Sequence, residues 1–199
     1  MRKTEDVLLT FSSKEKSIES KNKKSPWYIV YEWLDSLIFA IILILLVFVF
    51  VFRIVGVVGD SMNPTLNSGD WLTVSAVNKS IEKGDIVVIT QPNDRNEPLI
   101  KRVIAVGGDT LDINFISGEV RVNDVVIDEP YIAEITTRKG DFDRPIKVPE
   151  GYLFVMGDNR NNSLDSRFNS IGLIDERYVL GVANARIYPF GDWEINDVQ

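Results

Sequence analysis

Ser61 stands in the stretch VVGDSMNPTL, residues 57–66, between a glycine–acid pair and a proline-bearing turn. A serine hydroxyl attacks a carbonyl only when a base removes its proton, and histidine is the usual base. This chain contains no histidine. Carboxylates, tyrosine and lysine remain. A carboxylate, with a pKa of about 4, is a weak base for this task. A neutral amine is strong, but a lysine ordinarily titrates near about 10.4. Burial in apolar surroundings disfavours the ammonium and brings the neutral amine within reach. A lysine suited to activate Ser61 therefore belongs inside an apolar strand.

Lys101 meets that description. In PLIKRVIAVGGD, residues 98–109, it interrupts a hydrophobic strand, whereas Lys79, Lys83, Lys139 and Lys147 lie in polar, turn-like surroundings. Alternation along a strand puts Lys101 and Arg102 on opposite faces, so that one can approach the nucleophile while the other finds a carboxylate. A strand lysine can also simply snorkel to water. The presence of Ser61 in a chain without histidine favours the catalytic reading. A third segment, GDNRNNSLDSR at residues 157–167, packs Gly, Asn, Asp, Ser and Arg into one loop. Its plain reading is a surface loop of Asx turns. Its functional reading is a polar cluster that orients a buried lysine and pairs with Arg102.

Composition narrows the chemistry. The 199 residues carry a net charge of −7 and no cysteine. Disulfides and a thiolate nucleophile are excluded, and without His or Cys the usual zinc ligands are missing. The acidic balance argues against nucleic-acid binding. No metal or cofactor is expected. The charge is uneven: residues 1–32 hold seven Lys/Arg against five acids, and residues 53–199 hold fifteen against twenty-three.

The elements that must position these residues follow from hydropathy. LIFAIILILLVFVFVF, residues 37–52, is an unbroken apolar run, extended by Trp33 and Leu34 and continued beyond Arg53 by IVGVV. Strands seldom exceed about ten residues, and about 20 residues of helix cross a bilayer. A single transmembrane helix over 33–52 is expected. A cleaved signal peptide is disfavoured by the long polar segment before the run and by the lack of a small-x-small site after it. Lysines 21, 23 and 24 predict a cytoplasmic N-terminus, with residues 1–32 a polar tail. Residues 53–199 then form an extracytoplasmic domain.

That domain reads as all-β and largely antiparallel. Strands are expected at 70–77, 84–90, 99–106, 110–116, 119–127, 151–157 and 178–190, from β-branched runs punctuated by Gly, Asn and Asp. Ser117-Gly118 fits a hairpin turn. Residues 111–147 are expected to form a small lobe inserted between core strands.

Three blocks, GDSMNPTL, KRVIAVGGD and GDNRNNSLDSR, stand in this order behind an N-terminal anchor. In this the chain resembles type I signal peptidases, the membrane-anchored Ser/Lys endopeptidases that remove signal peptides from exported proteins, in their compact Gram-positive form. The resemblance implies that Ser61 is the nucleophile and Lys101 the general base. It implies that the Ser163 hydroxyl orients the lysine amine, that Asp158 pairs with Arg102, and that Asp165 and Arg167 form a bracing ion pair. Met62, Pro64 and Leu66 match the turn and wall beside the nucleophile. One departure concerns the position two before the nucleophile, where some members carry a serine that helps bind the oxyanion. Here it is Gly59, so the oxyanion would rest on the Ser61 N–H, helped by water or a neighbouring amide.

The resemblance further implies an acyl-enzyme and preprotein substrates with small side chains at −1 and −3. Val55, Val57, Val58, Met62, Leu66, Leu99 and Ile100 are the expected pocket walls. Membrane lipid is the other expected partner. Two other readings compete: a self-cleaving repressor-type protease, which would carry a DNA-binding domain in place of the anchor, and a membrane-anchored, non-enzymatic β-domain that binds an envelope partner.

Overall fold

A computed structural model of the chain describes residues 26–75, 80–92, 97–190 and 195. The polar tail up to residue 25 lies outside the described residues, as do 76–77 of the strand expected at 70–77. Two units are distinct, one ending at Val49 and one beginning at Phe50.

Helix α1 spans Pro26–Val51, all but its last two residues in the first unit. Proline suits the first helical position, where its missing N–H is no loss. At about 1.5 Å per residue the helix reaches about 39 Å, longer than the roughly 30 Å of a bilayer core. It starts earlier than the apolar run because Trp27, Tyr28 and Tyr31 are compatible with helix, and all three are exposed. Among the described residues it is the one helix long and apolar enough to cross a membrane.

The second unit is β-rich. Strand β1, Phe52–Gly56, follows α1 directly. The IVG that looked like a continuation of the apolar helix run is instead a strand, because it pairs antiparallel with β2, Trp71–Ser75. The chain continues through β3 (Ile86–Ile89), β4 (Leu99–Ala105), β5 (Thr110–Ile113), β6 (Val120–Val122), β7 (Val125–Val126), β8 (Ile146–Lys147), β9 (Tyr152–Met156), β10 (Ile174–Asp175) and β11 (Val179–Tyr188). These make a seven-stranded sheet in the order β1-β2-β11-β3-β4-β9-β10 and a four-stranded sheet in the order β7-β6-β5-β8. Every pairing is antiparallel. The fold is all-β behind a single N-terminal apolar helix.

The stretch 119–127 is two strands rather than one. Asn123 and Asp124 both take positive φ, 52° and 64°, and turn the chain between Val122 and Val125. Such a two-residue turn needs φ > 0 at both central positions, which Asn and Asp tolerate. The connection at Ser117-Gly118 is longer than a two-residue hairpin. The Asn114 side chain accepts from the N–H groups of Ile116 and Ser117.

Three buried clusters fix the sheets. One joins them, setting Ile104, Phe154 and Met156 of the larger sheet against Leu111 and Val120 of the smaller, with Val148 beside them. A second gathers Val57, Met62, Leu66, Leu72, Ile86 and Val88, with Val55 and Ile100 packed against it. A third holds Val87, Ile89, Val103, Leu153 and Val155. The second cluster matters most for chemistry, because its members flank Ser61.

Candidate active site

The loop from Val57 to Asp70 is closed at its base. Val57 N–H donates to Asp70 O at 2.8 Å and Gly69 N–H to Val57 O at 3.0 Å. Met62 and Leu66, one helical turn apart and joined by a Leu66 N–H to Met62 O bond, plunge into the second cluster as anchors. Full burial of a side chain of this kind contributes about 1.5–3 kcal/mol. The two anchors leave Ser61 partly exposed at the tip.

Lys101 comes to Ser61 from the middle of β4. Its side chain is 3% exposed. Nζ lies 2.7 Å from Ser61 Oγ and donates to the Ile100 carbonyl at 2.9 Å. Strand pairing explains the placement: β4 runs between β3 and β9, with Lys101 opposite Val87 of β3 and Arg102 held on both sides by Ile86 and Met156.

Arg102 is also buried and serves a different partner. Its Nε and Nη2 donate to the two Asp158 carboxylate oxygens at 2.9 and 2.8 Å, and Nη1 donates to Gly84 O. Thr65 Oγ1, from the 57–70 loop, donates to the same carboxylate at 2.5 Å. Asp158 therefore ties β4, the 57–70 loop and the 157–167 loop together. Asp158→Ala is expected to cost about 3–5 kcal/mol, because it strands a buried guanidinium. Urea unfolding followed by fluorescence reads this, and an unchanged midpoint would show that Arg102 finds water or another acceptor.

The 157–167 loop carries two more buried arginines. Arg167 pairs with Asp165 through Nε and Nη2, both at 2.8 Å, and caps the carbonyls of Arg138 and Arg160. Arg160 forms an ion pair with Glu129 at 2.6 Å and donates to Thr136 Oγ1. Tyr131 lies over the Arg102 guanidinium, 4.0 Å from ring centroid to Cζ, a favourable face for a cation. Burial first, and then the Glu129 charge, push the Tyr131 hydroxyl well above its ordinary range. Tyr131 thus stays protonated, and Asp158 and Asp165 are occupied by arginines. Among these groups Lys101 is the one whose side chain contacts Ser61 Oγ.

The structure brings Ser61, Lys101, Arg102 and Asp158 into one connected site, with Asp165 and Arg167 beneath it. Ser163 Oγ is buried in the same loop but makes no hydrogen bond, so it does not hold the Lys101 amine here. Of the expected pocket walls, Val55, Val57, Met62, Leu66 and Ile100 share the second cluster. Leu99 packs with the third cluster, and Val58 is 91% exposed. Sequence reasoning did not single out Thr65, Glu129, Tyr131, Asn159 or Arg160. The loop composition around 157–162 was the available signal for the last two. Among the described residues no group of His, Cys, Asp or Glu is arranged to hold a metal ion.

The sequence pattern of the signal peptidase, peptidase S26, family matches residues 30–188, a range that takes in the whole of this site. The chain belongs to that family. It is 38% identical over 187 residues to signal peptidase I of Bacillus licheniformis, covering 87% of this chain and 95% of that relative. It is 36% identical over 188 residues to signal peptidase I S of Bacillus subtilis (strain 168), covering 89% and 97%. A crystal structure of a signal peptidase I from Enterococcus faecalis V583 is 30% identical, with a TM-score of 0.44, covering 52% of this chain and 97% of that one.

Proposed function

We propose that this chain is a membrane-anchored serine endopeptidase that removes N-terminal signal peptides from exported preproteins through a Ser61/Lys101 dyad. The observation that carries this is the 2.7 Å approach of a buried lysine amine to a serine hydroxyl. Neutral Lys101 accepts the Ser61 proton as Oγ attacks the scissile carbonyl, and the Ser61 N–H donates to the oxyanion. The resulting ammonium passes its proton to the leaving amine, whose C–N bond breaks. An ester between Ser61 and the signal peptide remains. Water, giving its proton to Lys101, then cleaves that ester and releases the serine.

Ser163 enters at a particular moment. A neutral amine has two N–H donors, but an ammonium has three. The buried, unpartnered Ser163 hydroxyl is an acceptor for the added donor. This supports an orienting role in the charged intermediate rather than in the resting protein.

Specificity is assigned to the second cluster. A substrate in extended conformation adds its backbone to a sheet edge and places alternate side chains in pockets. Val55, Val57, Met62, Leu66 and Ile100 are the proposed walls for small side chains at −1 and −3. The proposed organisation has a cytoplasmic tail over 1–32, an anchor over 33–52 and an extracytoplasmic catalytic domain over 53–199, with 111–147 as an inserted lobe. The cell membrane is the proposed location. The aromatic start of α1 suits an interfacial belt.

Gly157 gives the reading a second handle. A Cβ there would fall inside contact distance of both Ser163 Oγ and the Ser61 carbonyl oxygen. Gly157→Ala is therefore expected to displace the nucleophile and lower kcat by about 100-fold, read by steady-state cleavage of a preprotein. Wild-type kcat in that variant would show that the loop can yield without moving Ser61.

The deciding experiment incubates the purified full chain with a preprotein and maps the new N-terminus. Cleavage after a small-x-small sequence supports the proposal, together with labelling of Ser61 by an acylating probe that needs Lys101. An intact preprotein and no labelling would favour a non-enzymatic envelope-binding domain.

A further inference from the structure

We infer that Asn159 is a positioning residue that aims the Ser61 N–H at the developing oxyanion, an inference that rests on the peptidase reading above. Three observations on the peptide groups around Ser61 carry it. First, Asn159 Nδ2 donates to the Asp60 carbonyl at 3.0 Å. Second, the Asn159 backbone N–H donates to the Ser61 carbonyl at 3.0 Å. Third, among the described residues the Ser61 N–H donates to no protein acceptor.

The physical link is peptide planarity. The Asp60 carbonyl and the Ser61 N–H belong to one planar trans unit and point in opposite directions. Holding the carbonyl oxygen on one side therefore fixes where the N–H points on the other. The second bond holds the next plane, which carries the Ser61 carbonyl. The rotation between those two planes is set by φ and ψ of Ser61. One residue thus grips both planes and fixes where the N–H points relative to Cβ, while the Lys101 contact holds Oγ. An oxyanion donor acts through such preorganisation, because it need not reorient when charge develops.

This chain depends on that grip. Gly59 supplies no side-chain hydroxyl, and its own N–H is turned to Ser68 Oγ at 3.3 Å. The Ser61 N–H is left as the donor to be aimed. Asp60 O also accepts from Asn63 N–H at 3.2 Å. That local turn preserves the loop when the Asn159 amide is removed, but it lies on the nucleophile's own segment and does not tie it to the opposite loop. Asn159 does, because its neighbour Asp158 is locked to Arg102.

The test uses the full chain in detergent, with Asn159→Ala and Asn159→Asp. The second variant keeps the shape but sets an acceptor against the Asp60 carbonyl. Expected for both is a kcat lowered about 10–100-fold, with KM changed less than about twofold and the same pH at half-maximal activity. Inhibition by a peptide aldehyde, whose tetrahedral adduct carries an oxyanion, should weaken in proportion to kcat. Affinity for the released signal peptide should not change. Thermal midpoints equal to wild type exclude a folding defect. An unchanged kcat overturns the inference. A rise in KM alone overturns it too, by making Asn159 a substrate contact, and a shifted pH profile overturns it by making Lys101 the group affected. In each of these cases wild-type enzyme still cleaves, which separates them from failure of the peptidase reading, where wild type leaves the preprotein intact.

Discussion

Ser61→Ala is expected to abolish preprotein cleavage while leaving the fold in place. The side chain is partly exposed and packs little. The 57–70 loop is held by the Met62 and Leu66 anchors, by the Thr65–Asp158 bond and by bonds from the Asn159 side chain and backbone, none of which needs the Ser61 hydroxyl. What is lost is the atom that forms the acyl-enzyme in the proposed mechanism. Removing the nucleophile from a serine peptidase lowers kcat on the order of a millionfold. The residual rate comes from the remaining donors and from binding. Intact-mass spectrometry after reaction with an acylating probe reads the covalent step, and a thermal melt reads the fold. Turnover of a natural preprotein by this variant, in a preparation free of wild-type enzyme, would remove Ser61 from its role.

Much of the fold, and the central pair of the site, were legible in sequence because elimination was strong. A chain without histidine or cysteine leaves few ways to activate a serine. One lysine in an apolar strand then stood out, and the structure sets its amine beside Ser61. Antiparallel β structure followed from β-branched runs between turn residues, yet β1 was hidden because its apolar residues adjoin those of α1. Only pairing with β2 distinguishes strand from helix there. The break between β6 and β7 was missed at Asn123-Asp124, a turn whose positive φ values are tolerated by two residues that also read as strand-edge polars. Glu129 and Tyr131 could not be placed from spacing. They come from a segment some thirty residues away and reach Arg160 and Arg102 through tertiary packing. Asn159 was illegible for another reason: it acts on backbone carbonyls, and these carry no sequence signature. The seven apolar wall residues were grouped by proximity in sequence and residue type, and packing divides them. Leu99 lies with the third cluster and Val58 projects into solvent.

Lys101→Arg is expected to be inactive, and wild-type activity is expected to rise on the alkaline side of neutrality. Arginine keeps the charge but does not become a neutral base at working pH, so the substitution separates basicity from charge. Methionine at the same position removes both and should be equally inactive. The pH dependence follows from burial. Lys101 is 3% exposed, and its amine contacts Ser61 Oγ and the Ile100 carbonyl. Desolvation by burial favours the neutral amine, so the ionisation should fall below the ordinary lysine value of about 10.4. The sign follows directly. Below that ionisation Lys101 is an ammonium and cannot take the Ser61 proton; above it the amine is free and activity is full. A histidine base would place the same limb near about pH 6–7. The acid limb of kcat/KM reports Lys101 in the free enzyme and that of kcat reports it in the complex. Bound substrate excludes more water from the amine, so the kcat limb should lie at the lower pH. Nitrogen-15 NMR of labelled lysine in the Ser61→Ala variant follows the ionisation without turnover. A Lys101 signal that stays charged well above the pH of full activity, with a substrate analogue bound, would rule out the amine as the base that activates Ser61.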